Sequence, residues 1–501
     1  MSATRGEMRT VWAIAIGAAV FRLLLFLGLD LYADEAYYWM WGRRPATGYL
    51  DHPPMVAWLV RAGGALLPAE PGVRILFVAC GALAVVFAGL IARELSDDPR
   101  APGVAAVLAA TSPILMLTGG LALPDAPVEA AYAGATWLLV RARGRGWITA
   151  GVAVGLALLS KYTAALLAPA LLLLLLVDPD LRRQLKTPWP WLGGAVAVLV
   201  FLPNLLWNAS HGWVSIVVQM RHGTASGATL RSFLEFVGGL VGGAGVVAFP
   251  LGAWRLARGR DTASLRVAAA TLVPVAVTTL SALRGKVEAN WAALVFPALC
   301  GAAAAQLVRL RPRWSAGLLS FTVGLGMVAA VGVGLELRNP SLIPADSEAA
   351  KRFRGWPEFA AKARAAARSA CDSVGAPPGC SPDDPFVYPT NYQDAAELAF
   401  YAGWTRFGPA VERPSQLDLW NDRPRPGEPI LAMGNYPEDR RMFRADGQGR
   451  TFSFEVFLKG KELHRGDVEA WSRWLGPMPR RTNALPWLEG ALPAEPGVRA
   501  P

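Results

Sequence analysis

Two adjacent carboxylates near the start of the chain offer the clearest candidate for catalysis. Asp34 and Glu35 lie in the aromatic stretch 32–39, and Asp51-His52-Pro53-Pro54 follows. A carboxylate within hydrogen-bond reach of a hydroxyl can act as a general base. Two other interpretations stay open: the acidic pair can simply begin a helix, whose dipole favours negative charge there, and the second stretch can be a rigid turn.

Cations and polar side chains recur further along the chain. They are Asp125, Lys161-Tyr162, Arg221-His222, and Lys286, Glu288 and Asn290. A departing phosphate needs preorganised Lys or Arg donors, so carboxylates and cations together fit chemistry on a phosphate ester. Alternatives remain: Lys161 can extend to a membrane interface, Lys286 and Glu288 can form a surface pair, and the spacing of eleven between His211 and His222 matches no metal-ligand signature.

The composition predicts that these residues belong to a membrane protein. Hydrophobic residues make up 53% of the 501 and charged residues 17%, against about a quarter charged in soluble domains. Apolar runs long enough to cross a bilayer recur, which excludes an ordinary cytosolic enzyme. Of the net charge of +11, +10 lies in the first 336 residues, since 337–501 hold 22 basic and 21 acidic residues. Basic residues beside spans set topology, so a nucleic-acid partner is not expected.

About eleven transmembrane helices are predicted. The apolar runs lie near 11–29, 73–92, 101–118, 126–140, 147–159, 163–177, 190–207, 232–252, 267–283, 291–308 and 314–336. Every connection from an even to an odd span is short and basic, as cytoplasmic loops are. The candidate residues above therefore fall on the external side, as does the segment after the last span. We expect two domains, a membrane domain over 1–336 and an external domain over 337–501.

The external segment, 337–501, is predicted to form a small α/β domain. Strand-like pieces at 428–433 and 450–457 alternate with helix-like pieces at 357–370 and 394–401. Cys371 and Cys380 flank a short loop, and a disulfide between them is possible if this segment is exported.

Several motifs in a consistent order resemble a known family. Asp34-Glu35-Ala36-Tyr37-Tyr38-Trp39 and Gly48-Tyr49-Leu50-Asp51-His52-Pro53-Pro54 are similar to the bacterial glycosyltransferases related to protein O-mannosyltransferases and lipid A aminoarabinose transferases, in the GT-C superfamily. The resemblance continues at 159–163, 211–222 and 285–291, and reaches the C-terminal segment at 391–398 and 415–420.

The resemblance implies a GT-C fold and transfer of a sugar from a polyprenyl-phosphate donor, with inversion. The implied setting is the outer, periplasmic face of a bacterial cytoplasmic (inner) membrane, and the acceptor is an envelope glycan such as lipid A, a lipid or a protein. By position, Asp34 is the expected base and Glu35 its assistant. The other residues implied in substrate binding are Lys161, Arg221 and Lys286 for the phosphate, Asp51, His52 and Glu288 for the sugar pocket, and Asp125, Tyr162, His222 and Asn290.

Metal dependence and two competing functions stay open on the sequence. The resemblance makes no cofactor certain, but it implies that a divalent ion near the site is possible, held by Glu35 or Asp51 with His211 or His222. A transporter or flippase for polyprenyl-linked sugars would bind the same headgroup without chemistry. It predicts ionisable residues at several positions within spans, whereas the sequence offers few, of which Arg22 is the clearest. A non-catalytic membrane protein that binds envelope glycans is the other alternative.

Overall fold

Helices account for most of the chain up to residue 338. The structure is a computed structural model and describes residues 2–223, 227–339, 344, 348–410, 413–434 and 443–477. Contacts divide the chain into two compact units. The first unit comprises Met1–Leu27, His52–Leu206 and Gln219–Gly334, and the second comprises Gly28–Asp51, Trp207–Val218 and Leu335–Pro501.

The helices of the N-terminal two thirds are connected by short loops. Two short helices, Ala33–Arg43 and Met55–Leu66, lie between the first two predicted apolar runs, 11–29 and 73–92. The other helices are Ser2–Phe26, Ala69–Leu95, Ala101–Thr111, Pro113–Thr118, Asp125–Arg141, Gly146–Ser160, Leu167–Val177, Pro179–Gln184, Trp189–Ser210, Val214–Gly223, Leu230–Ala244, Ala248–Arg258, Thr262–Ala282, Phe296–Leu307 and Pro312–Arg338, with 3-10 turns at Tyr162–Leu166 and Ala289–Val295.

Within the described residues, six helices are long and apolar enough to cross a membrane. They are Arg5–Phe26, Ala69–Leu95, Trp189–Ser210, Thr262–Ala282, Ala289–Leu307 and Pro312–Arg338. A seventh span is possible if Leu230–Ala244 and Ala248–Arg258, bent by 89°, count as one. Shorter apolar helices, including Ala101–Thr111 and Gly146–Ser160, supply further apolar segments. The chain is a multi-span membrane protein, and the count of eleven stays a prediction.

Two glycines let helices of the first unit meet backbone to backbone. A Cβ atom on Gly151 would lie 2.1 Å from the carbonyl oxygen of Gly193, and a Cβ on Gly193 would lie 2.4 Å from that of Trp147. Small residues permit such close approach between membrane helices, where no water-driven hydrophobic effect assists association. Helices Gly146–Ser160 and Trp189–Ser210 therefore pack through a glycine contact.

The connections predicted to be cytoplasmic contact one another within the first unit. Arg141 forms an ion pair with Glu94 (2.7 Å), and Arg266 forms a buried pair with Asp178 (2.7 Å). Arg255 donates to the carbonyl of Leu95 across 160 residues of sequence. These contacts join connections that follow different spans, so the connections lie at one end of the helix bundle, as an alternating topology requires.

The second unit contains a five-stranded mixed sheet. The strands are Phe386–Pro389, Arg406–Phe407, Ile430–Met433, Phe443–Leu458 and Lys461–Pro477. Phe386–Pro389 pairs in parallel with the second and third strands, and the last two strands add an antiparallel hairpin beside the third. Alternate residues face one side of the sheet, where Phe386, Tyr388, Ile430, Ala432 and Trp474 form a buried cluster.

The predicted helices and strands of the C-terminal segment are confirmed. Helix Trp356–Ser373 packs on the hairpin, with the rings of Phe359 and Phe454 5.1 Å apart. Helix Tyr392–Glu397 continues as a single π-helical turn, Leu398–Ala402, and helices Glu348–Phe353 and Gln416–Trp420 complete the segment. A disulfide joins Cys371 to Cys380.

Candidate functional site

Asp34 occupies the first turn of a short helix, and Glu35 fixes where that helix begins. Helix Ala33–Arg43 starts after Tyr32, whose backbone is extended. Oε2 of Glu35 accepts a hydrogen bond from the backbone N–H of Tyr32 at 2.9 Å, and the Glu35 side chain is fully buried. This interaction is one half of a capping box, which satisfies an otherwise unpaired donor at the helix start. The two neighbouring carboxylates thus have different surroundings.

The half-buried Asp34 carboxylate faces the C-terminal segment. Its Oδ1 lies 3.4 Å from both the Tyr392 hydroxyl and the Gln393 amide nitrogen. Burial raises the pKa of Asp34 above its usual value, while the hydrogen bond from Gln393 and the cations Arg352 and Arg413 act in the opposite direction. A carboxyl group with a raised pKa is a stronger base once ionised, and this suits it to take a proton near neutral pH.

A second carboxylate, Asp51, belongs to the same cluster. It is 9% exposed; its Oδ2 accepts from the Tyr37 hydroxyl (3.2 Å) and its Oδ1 lies 3.3 Å from the Arg413 guanidinium. Arg413 also stacks over the Tyr392 ring at 4.3 Å. Arg413 and Tyr392 therefore link the two carboxylates, and the negative charge of Asp51 contributes to the raised pKa of Asp34.

The loop that carries Asp51 is held by hydrogen bonds to two other segments of the second unit. The Leu50 N–H donates to Oε1 of Gln416 (2.8 Å), and the Gln416 N–H donates to the Tyr37 hydroxyl (2.6 Å). The Ser215 hydroxyl donates to the carbonyl of Tyr49 at 2.6 Å. Because these bonds are buried, they hold the loop in one conformation. The Asp51 carboxylate therefore loses little conformational entropy when a ligand binds.

The residues of the C-terminal segment that surround Asp34 and Asp51 have no role predicted from the sequence. Tyr392, Gln393 and Gln416 lie in the stretches 391–398 and 415–420 that carried the family resemblance, so a signal was present without a stated function. Arg413 stands just before the second stretch and had no signal of its own. We name the group Asp34, Asp51, Tyr392, Gln393 and Arg413 the acidic cluster.

The first unit brings Asp125 and Lys161 together. Lys161 Nζ lies 2.9 Å from Oδ1 of Asp125, and their side chains are 9% and 5% exposed. Lys161 follows the end of helix Gly146–Ser160, where the backbone becomes extended before a 3-10 turn. The Lys161 ammonium is thus directed at a buried partner, and the structure favours pairing over extension to an interface.

A second acidic residue of helix Asp125–Arg141, Glu129, lies one turn from Asp125 and was not among the residues predicted from the sequence. Its fully buried carboxylate accepts from the Thr118 hydroxyl at 2.9 Å. The spacing of four residues places Asp125 and Glu129 on one helix face, and that spacing was the available signal. Arg22 is also fully buried and donates to the Leu115 carbonyl at 3.1 Å. Buried ionisable groups of this kind mark functional positions in membrane proteins.

The remaining predicted residues divide between exposed and enclosed positions of the first unit. Lys286 and Glu288 form an ion pair at 3.2 Å with side chains 70% and 64% exposed, as the surface-pair interpretation expects. Tyr162 donates to Asn204 at 3.2 Å. His52 and Asn290 are half-buried, Arg221 is exposed, and the side chain of His222 lies outside the described residues. Convergence of all these residues on one site stays a prediction.

The suggested metal ligands do not assemble around one ion. Among the described residues, no three His, Cys, Asp or Glu side chains are close enough to hold a metal. His211 Nδ1 contacts the backbone carbonyl of Trp207 (2.8 Å), while Glu35 caps its helix and Asp51 pairs with Arg413. Glu35, Asp51 and His211 each already have a protein partner, the side chain of His222 lies outside the described residues, and no step is assigned to a metal.

Comparisons with known proteins agree with the predicted resemblance. Residues 51–207 match the family described as dolichyl-phosphate-mannose-protein mannosyltransferase. The lipid A galacturonosyltransferase RgtD of Rhizobium johnstonii is 29% identical over 381 residues, which cover 71% of this chain and 77% of that protein. An undecaprenyl phosphate-alpha-4-amino-4-deoxy-L-arabinose arabinosyl transferase of Pseudomonas aeruginosa is 32% identical over 165 residues, covering 31% of this chain and 30% of that protein.

The fold is also that of a solved structure. The crystal structure of ArnT from Cupriavidus metallidurans bound to undecaprenyl phosphate matches with a TM-score of 0.63 at 16% identity, covering 93% of this chain and 98% of that one. The apo structure of the same protein matches with a TM-score of 0.61 at 17% identity. The predicted fold class, a multi-pass α-helical membrane protein of GT-C-type fold with a small C-terminal α/β domain, is confirmed, and the count of eleven transmembrane helices stays a prediction.

Proposed function

We propose that this GT-C protein is a membrane glycosyltransferase that moves a sugar from a polyprenyl-phosphate donor to a lipid A-type acceptor of the cell envelope. The acidic cluster is the observation that carries the proposal, because it holds a carboxylate of raised pKa beside cations. The similarity to RgtD and to an undecaprenyl-phosphate-dependent aminoarabinose transferase supports the donor and acceptor classes.

The reaction proposed for the cluster is a single displacement. Asp34 takes the proton of the acceptor hydroxyl as the oxygen attacks the anomeric carbon and forms the new C–O bond. The bond between that carbon and the phosphate oxygen breaks on the opposite face, and its electron pair leaves with polyprenyl phosphate. The configuration at the anomeric carbon inverts. Glu35 is a positioning residue, because its carboxylate holds the helix start that presents Asp34.

The phosphate requires cations, and we propose that Lys161, Arg221 and Lys286 supply them. Arg and Lys donors neutralise charge as it develops on a leaving phosphate. Asp51, His52 and Glu288 are proposed to shape the sugar pocket, and Asp125, Tyr162, His222 and Asn290 to bind substrate. The Asp125–Lys161 ion pair supports this assignment, since the carboxylate fixes the position of the buried Lys161 amine.

We further propose that the acidic cluster and residues 337–501 are periplasmic and that the chain resides in a bacterial inner membrane. The basic connections at the opposite end of the topology support this orientation. The Cys371–Cys380 disulfide supports it as well, because disulfides persist in oxidising compartments. A periplasm-reporting enzyme fused after Leu337 should be active, and activity of the reporter only in the cytoplasm would contradict the orientation.

The function is tested by reconstitution of the purified chain with lipid A in vesicles. Undecaprenyl-phosphate-linked aminoarabinose and undecaprenyl-phosphate-linked galacturonic acid are supplied as donors, and products are read by mass spectrometry. We expect transfer from one donor and a loss of about 10²- to 10⁴-fold in Asp34→Asn, the usual contribution of a general base. Asp446→Asn is the matched control, because Asp446 pairs with Arg473 on the hairpin surface.

Two outcomes would overturn the proposal. Undiminished transfer by Asp34→Asn would remove Asp34 as the base. Absence of transfer by the wild-type chain with every polyprenyl-phosphate sugar tried, together with movement of the donor across the vesicle membrane, would indicate a transporter instead.

A further inference from the structure

A cavity of about 540 Å³ lies in the second unit, and no residue of the acidic cluster lines it. Its wall combines the last turns of helix Ala33–Arg43 with residues between Ala399 and Asp422. The volume falls within the roughly 300–1,000 Å³ typical of small-molecule sites. None of the residues proposed above for catalysis or donor binding lines this cavity. The proposed reaction therefore assigns no ligand to it.

Aromatic rings form one part of this cavity. Trp39 and Phe400 meet edge to face with centroids 5.0 Å apart, and Trp404 is 1% exposed with its indole N–H bonded to the Pro382 carbonyl. Trp420 lines the same space. Flat indole faces held in fixed positions suit the apolar C–H faces of a pyranose ring, and they lose little conformational entropy when a ligand binds.

Guanidinium groups form the other part. Arg43, Arg44 and Arg406 line the cavity with Asp422 as a carboxylate among them. Arg44 pairs with Asp422 at 2.5 Å and lies over the Trp420 ring at 4.6 Å. Arg406 pairs with Glu428 at 2.6 Å. Three cations against these two carboxylates leave the surroundings of the cavity positive.

Arg43 is the cation with uncommitted charge. It is exposed, and its guanidinium lies 5.7 Å from the centre of the Trp39 ring. Among the described residues it makes no ion pair. A guanidinium presents several donors in a planar fork that matches phosphate or carboxylate oxygens. The cavity therefore offers stacking surfaces and an available anion-binding group side by side.

The position of the cavity separates it from the reacting centre. Asp34 and Arg43 stand nine residues apart on one helix, which corresponds to about 13 Å along its axis and about half a turn around it, so the two side chains leave opposite faces of the helix. The cavity is therefore separate from the reacting centre, and a ring that reacts at Asp34 cannot fill it at the same time. Only a different part of an extended acceptor can occupy the cavity while the reaction proceeds at Asp34.

We infer that this cavity binds an anionic saccharide, the non-reacting part of the acceptor, through Arg43 and the tryptophan walls. The assignment of the ligand to the acceptor rests on the proposed glycosyltransferase function. The anion is a phosphate ester or a carboxylate, both of which a guanidinium recognises in the same way. A polyprenyl chain does not fit, because it carries no anion for Arg43 and no ring face to stack on the tryptophans.

Binding is measured directly with the full chain in nanodiscs by saturation-transfer NMR and competition. The probes are N-acetylglucosamine 6-phosphate, glucuronic acid, N-acetylglucosamine and inorganic phosphate. We expect saturable binding of at least one anionic sugar, weaker binding of the neutral sugar and of phosphate alone, and about tenfold weaker binding in Arg43→Gln. Preference between the two anionic sugars identifies the anion. Arg473→Gln, on the hairpin, is the control and should bind as wild type does.

The binding readout separates this inference from the proposed function. Asp34→Asn should bind the anionic sugar as tightly as the wild-type chain, whether or not transfer is detected. In transfer assays, Arg43→Gln should raise KM for the acceptor. Equal binding by Arg43→Gln and wild type, or no binding of either anionic sugar while transfer proceeds normally, would overturn the inference.

Discussion

The acidic cluster of the second unit and the Asp125–Lys161 pair of the first unit use the same residue types in opposite ways. In the pair, each side chain is at least nine-tenths buried and each charge meets its counterpart at 2.9 Å. In the cluster, Asp34 is half-buried and its nearest donors lie at 3.4 Å. The Asp125–Lys161 pair gives each charge a close partner. The acidic cluster leaves the Asp34 carboxylate with long hydrogen bonds only and with a raised pKa. A loosely held base can exchange a proton with substrate, and a satisfied pair cannot do so without separating.

The largest expected effect comes from breaking the buried pair. Lys161→Met leaves the Asp125 carboxylate without its cation, and removal of one partner from a buried ion pair typically costs about 3–5 kcal/mol of unfolding free energy. Thermal unfolding of the chain in detergent should therefore show a marked loss of stability. The double variant Lys161→Met with Asp125→Leu should recover much of it, and a double variant less stable than the single one would show that the pair is not a coupled unit.

A smaller effect is expected at the helix start beside Asp34. Glu35→Ala removes the acceptor for the Tyr32 N–H, and loss of such a cap costs about 1 kcal/mol. Glu35→Gln keeps an oxygen acceptor and should retain more of that stability. The two unfolding midpoints distinguish the cap from the charge, because equal loss in both variants would mean that the negative charge of Glu35 matters more than its hydrogen bond.

The variant Arg413→Gln tests the electrostatics of the acidic cluster through the pH dependence of kcat/KM. Arg413 lowers the pKa of Asp34, so its removal should raise that pKa further. The base must be ionised, and the acid limb of kcat/KM should therefore move to higher pH, with activity lost first on the acidic side. A pH profile measured beside that of Arg473→Gln tests this direction. An acid limb that stays in place would remove Arg413 from the electrostatics of Asp34.

The smallest effect is expected at the exposed pair. Lys286→Gln breaks an ion pair whose members are 70% and 64% exposed, and such pairs contribute about 0–1 kcal/mol. Unfolding should be nearly unchanged, while KM for the donor rises if Lys286 holds its phosphate. Unchanged KM would leave Lys286 as a surface residue only. The contrast with Lys161 shows how burial of an ion pair changes its contribution to the free energy of unfolding.

Much of the fold follows from local sequence patterns. Apolar runs and basic connections identify a multi-span protein, because a helix that crosses a bilayer must satisfy its backbone internally and remain apolar outside. The helix-like and strand-like pieces of the C-terminal segment follow from short-range periodicity in the same way. The end of helix Gly146–Ser160 before Lys161 also follows from the sequence, since a charged residue there separates two apolar runs.

Other features depend on contacts that no local pattern encodes. Arg413 and Asp51 are 362 residues apart in sequence, and the 3.3 Å contact between them exists only in the folded second unit. The Asn391–Gln393 stretch resembled a family motif, yet only the structure places Gln393 beside Asp34. The cavity near Arg43 had no signal, because its tryptophans and arginines come from two distant segments.

The sequence by itself determined a membrane-embedded helical protein, because hydropathy and charge act locally along the chain, and it predicted carboxylates and cations on one side of the membrane. Tertiary structure decided which of those charged groups are satisfied and which remain reactive. That distinction arises from burial and from partners distant in sequence. These two factors set the pKa of Asp34 and hold Lys161 against Asp125.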